Sequence, residues 1–195
     1  MKSILISIQP QWVEKILNGE KTIEIRKTMP KCELPCKVYI YCTKGKLDKD
    51  NLVVSHSLPA IMPYNANGKV VAEFTLNKIT KHEKNYLDYD GVKDYYFKVS
   101  DVKNIGFDAD VMSLLDFGQF LETYGQDKPL YAWHIENLKI YDKPKELSRF
   151  GIKCEYASEI HCRDCKYVKW DACCNIMIKP LKRPPQSWCY VEEGK

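Results

Sequence analysis

The chain has 195 residues, of which 45% are hydrophobic and 29% charged, and its formal net charge is +4. This length and composition predict one domain of ordinary size with a real core, and they argue against long intrinsic disorder. The charge permits a nucleic-acid partner without requiring one, and no apolar run approaches the roughly 18 residues of a membrane helix.

The beginning of the chain predicts a strand, a helix and a second strand. Residues 2–8 are rich in isoleucine and predict a β-strand. This apolar run is interrupted by Ser7 and is too short for a signal peptide, so we expect a cytoplasmic protein. Pro10 fits the first turn of a helix that ends near Gly19. Residues 21–26 alternate apolar and polar side chains and predict a half-buried strand with a polar face.

The middle of the chain predicts further short strands and a second helix. Strands are predicted at residues 37–43 and 69–76 and at 131–141, where Pro144 ends the last one. Helical spacing of apolar residues predicts a helix at 113–124, and residues 44–66 lack periodicity and predict a long loop. Short strands dominate without regular βαβ alternation, which favours an α+β fold with a small mixed or closed β-sheet carrying helices.

The nine cysteines divide the chain into two parts. Three lie early, at Cys32, Cys36 and Cys42, and the other six lie between Cys154 and Cys189. We therefore expect a domain at residues 1–150 and a cysteine-rich tail at 151–195. Without a secretory signal, such cysteines indicate thiols or metal ligands rather than a disulfide framework.

The tail contains a pattern that is typical of a structural zinc site. Cys162 and Cys165 form a Cys-x2-Cys knuckle, which supplies two of the four ligands that tetrahedral zinc needs. The other two ligands are available from Cys154, His161, Cys173, Cys174 and Cys189. We choose Cys154 and Cys174, with Cys173 as the main substitute. Zinc would stabilise a tail that has little apolar material of its own, and free thiols, an iron–sulfur cluster or disulfides are the alternatives.

The polar face of the strand at residues 21–26 is a candidate site. Lys21, Thr22, Glu24 and Arg26 place a carboxylate between basic side chains, which suits binding of a phosphate or of an anionic transition state. From spacing alone, a solvated surface strand with alternating charges is the favoured interpretation.

Three later residues are weaker candidates. Glu73 interrupts an apolar strand and is interpreted first as an outward-facing residue. Trp133 and His134 offer stacking and hydrogen bonding to a base, although a structural tryptophan and a satisfied histidine are the simpler interpretation.

The region from Ile8 to Arg26 resembles the opening of an ASCH domain, of the PUA-like superfamily. That family carries a Gly-x-Lys-x-x-Glu-x-Arg signature after its first helix, and the matching residues are Gly19, Lys21, Glu24 and Arg26. The strand at 131–135 resembles the closing part of the family, so the resemblance covers residues 1–150. It implies a small PUA-like β-barrel flanked by helices, with the signature residues in a cleft.

The resemblance also implies an RNA or nucleotide-like ligand. PUA-like relatives bind RNA or modified bases, some ASCH proteins resemble ribonucleases, and one bacterial group hydrolyses acetylcytidine. In that group a lysine acts with a threonine three residues later and a distant glutamate; Lys21 matches the lysine, and Glu24 occupies the threonine position. The leading hypothesis is therefore an RNA- or nucleotide-recognising module whose ligand-binding residues are Lys21, Thr22, Glu24, Arg26, Trp133 and His134.

Two alternative functions remain. The first is a ribonuclease or modified-nucleoside amidohydrolase that uses Lys21 and Glu24 as an acid–base pair. The second is a phage-encoded factor that binds a host protein through the tail or the loop at 44–66. The Pro-Pro-Gln-Ser-Trp segment at residues 184–188 is similar to the endings of ASCH-like proteins of phages and gut bacteria, and it suggests that the tail packs back on the barrel.

The zinc hypothesis makes a stoichiometric prediction. We expect the purified protein to carry about one zinc ion per chain, because a single tetrahedral site needs four ligands. Elemental analysis measures this, and Cys162→Ser should lower the metal content whereas Cys42→Ser should not. A metal-free preparation with an ordered tail would contradict the hypothesis.

Overall fold

The computed structural model describes residues 3–45, 51–54, 62–82, 128–153 and 178–194. These ranges are mostly β-sheet, with one α-helix. In chain order the elements are β1 (Ser3–Ile8), α1 (Pro10–Leu17), β2 (Ile23–Arg26), β3 (Cys36–Cys42), β4 (Asn51–Val54), β5 (Met62–Asn65), β6 (Val70–Leu76), β7 (Ile79–His82), β8 (Leu130–His134), β9 (Glu136–Lys145), a 3-10 turn (Leu147–Arg149), β10 (Phe150–Lys153), β11 (Ile178–Pro180) and β12 (Trp188–Glu193).

The main sheet has seven strands in the order β11-β10-β12-β1-β3-β6-β9. The central strands β1 and β3 are parallel, and the other neighbours are antiparallel. A second sheet has the order β2-β8-β7, and β4 pairs with β5. Across the described ranges these sheets are open, so the structure confirms the expected sheet-and-helix combination but not a closed barrel.

Apolar side chains cover both faces of the main sheet. In β1, Ile4 and Ile6 belong to one buried cluster, which also packs against α1, whereas Leu5 belongs to a second cluster. In β3, Val38 lies in the first cluster and Tyr39 in the second. This alternation follows from the period of two along a strand, and it explains why β1 and β3 are almost completely buried.

The local sequence patterns located many of the described elements. The predictions for β1, α1, β2, β3 and β6 are confirmed within one or two residues at most ends. The helix predicted at residues 113–124 lies outside the described residues.

The loop predicted at residues 44–66 is wrong in part, because it contains β4 and β5. These two strands pair antiparallel, with Asn51 opposite Asn65. Each has only four residues. A run this short shows too few alternations to be recognised without its pairing partner.

The single strand predicted at residues 131–141 is also wrong. The chain forms two strands that meet at Ile135 and belong to different sheets, β8 to the second sheet and β9 to the main one. Pro144 does not end the strand but lies inside β9. A proline is tolerated there because β9 is the edge of the main sheet, where a missing N–H leaves the ladder largely intact.

The described part of the expected tail contributes strands to the main sheet. β10 and β11 pair with each other, and β12 pairs with both β10 and β1. The C-terminal strand therefore lies beside the N-terminal one. None of the helices in the described ranges is long and apolar enough to cross a membrane.

Candidate functional site

The end of α1 positions the first residue of the candidate site. Gly19 adopts a left-handed conformation with φ of +76°, where a side chain would be strained. Its N–H donates to the Ile16 carbonyl at 3.0 Å, and the Glu20 N–H donates to the Lys15 carbonyl at 2.9 Å. These two bonds form a Schellman motif, which reverses the chain sharply. Lys21 comes two residues after Gly19, and its own N–H also donates to the Lys15 carbonyl at 3.1 Å, just before β2 begins at Ile23.

Lys21, Glu24 and Arg26 form a buried ionic cluster. Lys21 Nζ lies 3.3 Å from Glu24 Oε2, and Arg26 Nη2 lies 2.9 Å from Glu24 Oε1. Their side chains keep only 6–10% of their surface exposed. The interpretation of this segment as a solvated surface strand is therefore wrong: the polar face of β2 turns inward, and Ile25 is the more exposed residue.

The Trp133 ring lies on the same face as this cluster. Glu24 is directly opposite Trp133 in the antiparallel pair β2–β8, so the two side chains project from the same side of the sheet. Trp133 is fully buried, and its ring centroid lies 5.7 Å from that of Trp188. On the helix side, Lys21 Nζ lies 5.4 Å from the centroid of Trp12. One aromatic ring therefore lies beside Lys21, and another shares the sheet face of Glu24.

Burial changes the acid–base behaviour of Lys21. Desolvation lowers the pKa of Lys21 below its ordinary value, and the positive charges of Arg26 and Lys15 lower it further. The Glu24 carboxylate opposes this change through its charge and its hydrogen bond, but it does not overcome it. Lys21 therefore releases its proton more readily than an exposed lysine does.

Arg26 also connects the cluster to both ends of the chain. Its Nη2 donates to the Ser7 carbonyl at 2.7 Å, and its Nη1 donates to Ser187 Oγ at 3.3 Å. Ser7 in turn donates from Oγ to the Pro185 carbonyl at 2.7 Å and from its N–H to the Ser187 carbonyl at 2.9 Å. One guanidinium thus links β1, β2 and the segment before β12.

Sequence reasoning did not identify Ser7 and Ser187 as members of the site. Both had a visible signal: Ser7 interrupts the apolar run of β1, and Ser187 lies in the Pro-Pro-Gln-Ser-Trp segment. Their contact joins residues 180 positions apart in the chain, and no local pattern predicts such a pairing.

Two buried donors of this region lack an acceptor within the described part of the chain. They are Arg26 Nε and Trp133 Nε1. An unpartnered N–H in a dry site costs about 1–3 kcal/mol. Arg26 contacts the Glu24 carboxylate, and Trp133 lies opposite Glu24 in the β2–β8 pair, so both unpartnered donors belong to the candidate site.

Two predicted site residues project elsewhere. Thr22 is exposed and uses its carbonyl to accept the Ile135 N–H at 2.9 Å. His134 follows Trp133 on β8 and therefore points to the opposite face, where Nε2 lies 2.9 Å from Thr80 Oγ1. The structure thus brings Lys21, Glu24, Arg26 and Trp133 together, without these two side chains.

Glu73 belongs to a separate polar group. It accepts hydrogen bonds from the Tyr141 hydroxyl at 2.7 Å and from Lys37 Nζ at 3.1 Å. Burial acts to raise the pKa of Glu73, but these two hydrogen bonds lower it below its ordinary value. Tyr141 lies in the second apolar cluster, whereas Trp133 lies in the first. Glu73 is therefore a satisfied residue apart from the ionic cluster.

The predicted zinc ligands lie outside the described residues, at Cys154, Cys162, Cys165 and Cys174. Among the residues that are described, no three histidine, cysteine, aspartate or glutamate side chains are grouped to hold a metal ion. Structural zinc in the tail stays a prediction.

Comparisons with known proteins identify one family. The family model described as ASCH domain matches residues 6–169. Among solved structures, ASCH from Zymomonas mobilis is 16% identical with a TM-score of 0.43, over 75% of this chain and 74% of that one. A mutant form of the same Zymomonas mobilis protein is 15% identical with a TM-score of 0.48, over 98% of this chain and 89% of that one. No curated protein matches the chain.

The lowered pKa of Lys21 predicts a pH dependence of stability. At pH values between that lowered pKa and the ordinary 10.5, the unfolded chain binds more protons than the folded chain. The contribution of Lys21 to the free energy of unfolding therefore rises with pH across this window and is complete above it. Urea denaturation at several pH values should show that Lys21→Met removes this rise.

The control for this prediction is Lys37→Met, measured in the same pH window. The Lys37 side chain is 49% exposed, and its partner Glu73 titrates at much lower pH, so its replacement should leave the slope of the free energy of unfolding against pH in this window as in the wild type. If the free energy of unfolding has the same slope against pH in the wild type and in Lys21→Met, Lys21 titrates alike in the folded and unfolded chains and the prediction is wrong.

Proposed function

The chain belongs to the ASCH domain family, and on that premise we propose that it binds RNA or a nucleotide-like ligand at the cluster of Lys21, Glu24 and Arg26. The observation that carries this proposal is the pair of buried donors at Arg26 Nε and Trp133 Nε1 beside two basic groups and one carboxylate. Phosphate oxygens and base carbonyls are the acceptors that such a set of donors binds.

The burial of the cluster restricts the kind of ligand. Lys21, Glu24 and Arg26 each have a relative exposure of 5–8%, so they cannot lie along the backbone of a duplex. Contact with them would require a group that is inserted from one nucleotide, as occurs when an enzyme takes a base out of its stack. We therefore favour a nucleoside, a nucleotide or an unstacked base of single-stranded RNA, including a modified one. Trp133 is fully buried and its ring packs 5.7 Å from that of Trp188, so in this proposal it contributes its Nε1 donor and not a stacking surface.

Removal of the Lys21 charge should weaken this binding. We expect Lys21→Met to raise the Kd for single-stranded RNA or for the preferred nucleotide by about tenfold or more, because a hydrogen bond to a charged group contributes about 1.5–3 kcal/mol. Fluorescence anisotropy at low salt measures the effect. Arg26→Lys is the second variant, because it keeps the charge and removes the planar set of donors.

The matched control for binding is Lys37→Met, which removes an exposed lysine outside the cluster. It should leave the Kd within about twofold, which corresponds to under about 0.5 kcal/mol. An equal loss of affinity in Lys21→Met and Lys37→Met would indicate general electrostatic attraction. No affinity for any RNA or nucleotide at low salt would refute the proposal.

A second candidate function is hydrolysis of RNA or of a modified nucleoside. The observation that favours it is the lowered pKa of Lys21 together with the 3.3 Å contact between Lys21 Nζ and Glu24 Oε2. A lysine that releases its proton easily, next to a carboxylate, can accept and return a proton during cleavage of an amide or phosphodiester bond. Lys21 and Glu24 would be the acid–base pair.

Mass spectrometry separates binding from catalysis. RNA and a panel of modified nucleosides are incubated with the wild type, with Lys21→Met and with Glu24→Gln. If the site is catalytic, a product forms with the wild type, and its rate falls by about 100-fold or more in both variants, since general acid–base catalysis contributes at least that much. If binding is retained and no product forms with any substrate of the panel, hydrolysis of those bonds is excluded.

A further inference from the structure

Cys32 and Cys36 lie together in the connection between β2 and β3. Both are free thiols, and their Sγ atoms are 3.6 Å apart, with the Cys32 thiol donating to Cys36. Cys32 is half-buried, and Cys36 is 2% exposed. The ionic cluster does not include either of them, and the proposed zinc site assigns them no role.

Both ends of this short segment are held in place. Cys36 is the first residue of β3 and pairs with Leu76 of β6. On the other side, the Lys31 N–H donates to the Tyr190 hydroxyl at 2.7 Å. The two sulfurs are thus in van der Waals contact between two anchored positions. A disulfide requires the two sulfurs to approach from 3.6 Å to about 2 Å.

We propose that Cys32 and Cys36 are a modification site that forms an intrachain disulfide on oxidation by hydrogen peroxide. Cys32 Sγ, as the thiolate, attacks one peroxide oxygen and becomes a sulfenic acid, with hydroxide as the leaving group. Cys36 Sγ then displaces hydroxide from that sulfur and loses its proton, and the S–S bond forms. In sum, two thiols and one peroxide give one disulfide and two molecules of water.

The surroundings of the two thiols set this order of events. Burial raises the pKa of Cys36 to about 12, and a negative charge on the neighbouring Cys32 acts in the same direction. Cys36 therefore stays a thiol and reacts slowly with an oxidant from solvent. It is nevertheless in contact with Cys32, so it can resolve a sulfenic acid that forms there. Cys32, with the greater exposure, is the residue that meets the oxidant.

Peptide mass spectrometry tests the proposal directly. Trypsin cleaves after Lys31 and after Lys37, so both cysteines fall in the single peptide 32–37. The full chain is treated with hydrogen peroxide, denatured in the presence of an alkylating reagent and digested. We expect this peptide to lose two hydrogen atoms and to take up no alkyl group. Treatment with a reductant before alkylation should restore two alkyl groups.

The chain offers an internal control and a matched variant. Cys42 is also buried, and burial raises its pKa to about 12, but its sulfur contacts the Thr43 carbonyl rather than a thiol. Cys42 should stay reduced under the same treatment. In Cys32→Ser, Cys36 should likewise stay reduced and take up one alkyl group. A thermal melt of Cys32→Ser shows whether the variant is folded.

Three results would overturn the proposal. The first is complete alkylation of peptide 32–37 at peroxide concentrations that oxidise other cysteines of the chain. The second is a disulfide from either residue to a different cysteine. The third is that the two thiols are protected before any oxidant is added and become reactive only after a chelator is present, which would make them metal ligands.

Discussion

The guanidinium of Arg26 is the interaction on which the arrangement of the site depends. It contacts Glu24 within β2, the carbonyl of Ser7 in β1 and the hydroxyl of Ser187 before β12. A buried charge is tolerated only when its donors find acceptors, and these acceptors come from three separate parts of the chain. The same guanidinium therefore connects the C-terminal strand to the N-terminal one and orients Glu24. Truncation of either end would remove one of these acceptors, Ser7 at the N-terminal end or Ser187 at the C-terminal end.

The ligand binding proposed for the ionic cluster accounts for a feature that stability alone does not require. A buried ion pair stabilises a protein little more than a well-packed apolar core does, because the free energy of removing its charges from water is about as large as their mutual attraction. Around the cluster, Trp133, Trp12 and the first apolar cluster would have accommodated apolar side chains instead. Two donors moreover remain without an acceptor in the described ranges, at Arg26 Nε and Trp133 Nε1. Buried charges and unpartnered hydrogen-bond donors lower the stability of the folded chain. Hydrogen bonds to a bound acceptor group would offset this loss.

The thiols of Cys32 and Cys36 lie close to this region of the sheet. The segment that carries them starts directly after Arg26, and it is attached to β12 where Trp188 Nε1 donates to Thr28 Oγ1 at 2.9 Å and Tyr190 accepts from Lys31. The same strand β12 follows Ser187, which contacts Arg26. The ionic cluster and the pair of thiols thus share β12 as a common support, although they use different chemistry. Burial disfavours the charged form both of Lys21 and of Cys36, so one physical effect makes the lysine release its proton more readily and keeps the thiol protonated.

The sequence by itself determined the elements that local rules govern. A few neighbouring residues encode each of three elements: the isoleucine-rich β1, the helix from Pro10 to the Gly19 motif, and the alternation of β2. The signature positions Lys21, Glu24 and Arg26 were also visible in the sequence. Only the tertiary structure decided which face of β2 is buried, because alternation defines two faces without saying which one meets the core. It also placed Trp133 opposite Glu24, divided residues 131–141 between two sheets and brought Ser187 to Arg26. Each of these depends on pairing between distant segments, and the local pattern around residue 7 or residue 187 does not specify which distant residue will be its partner.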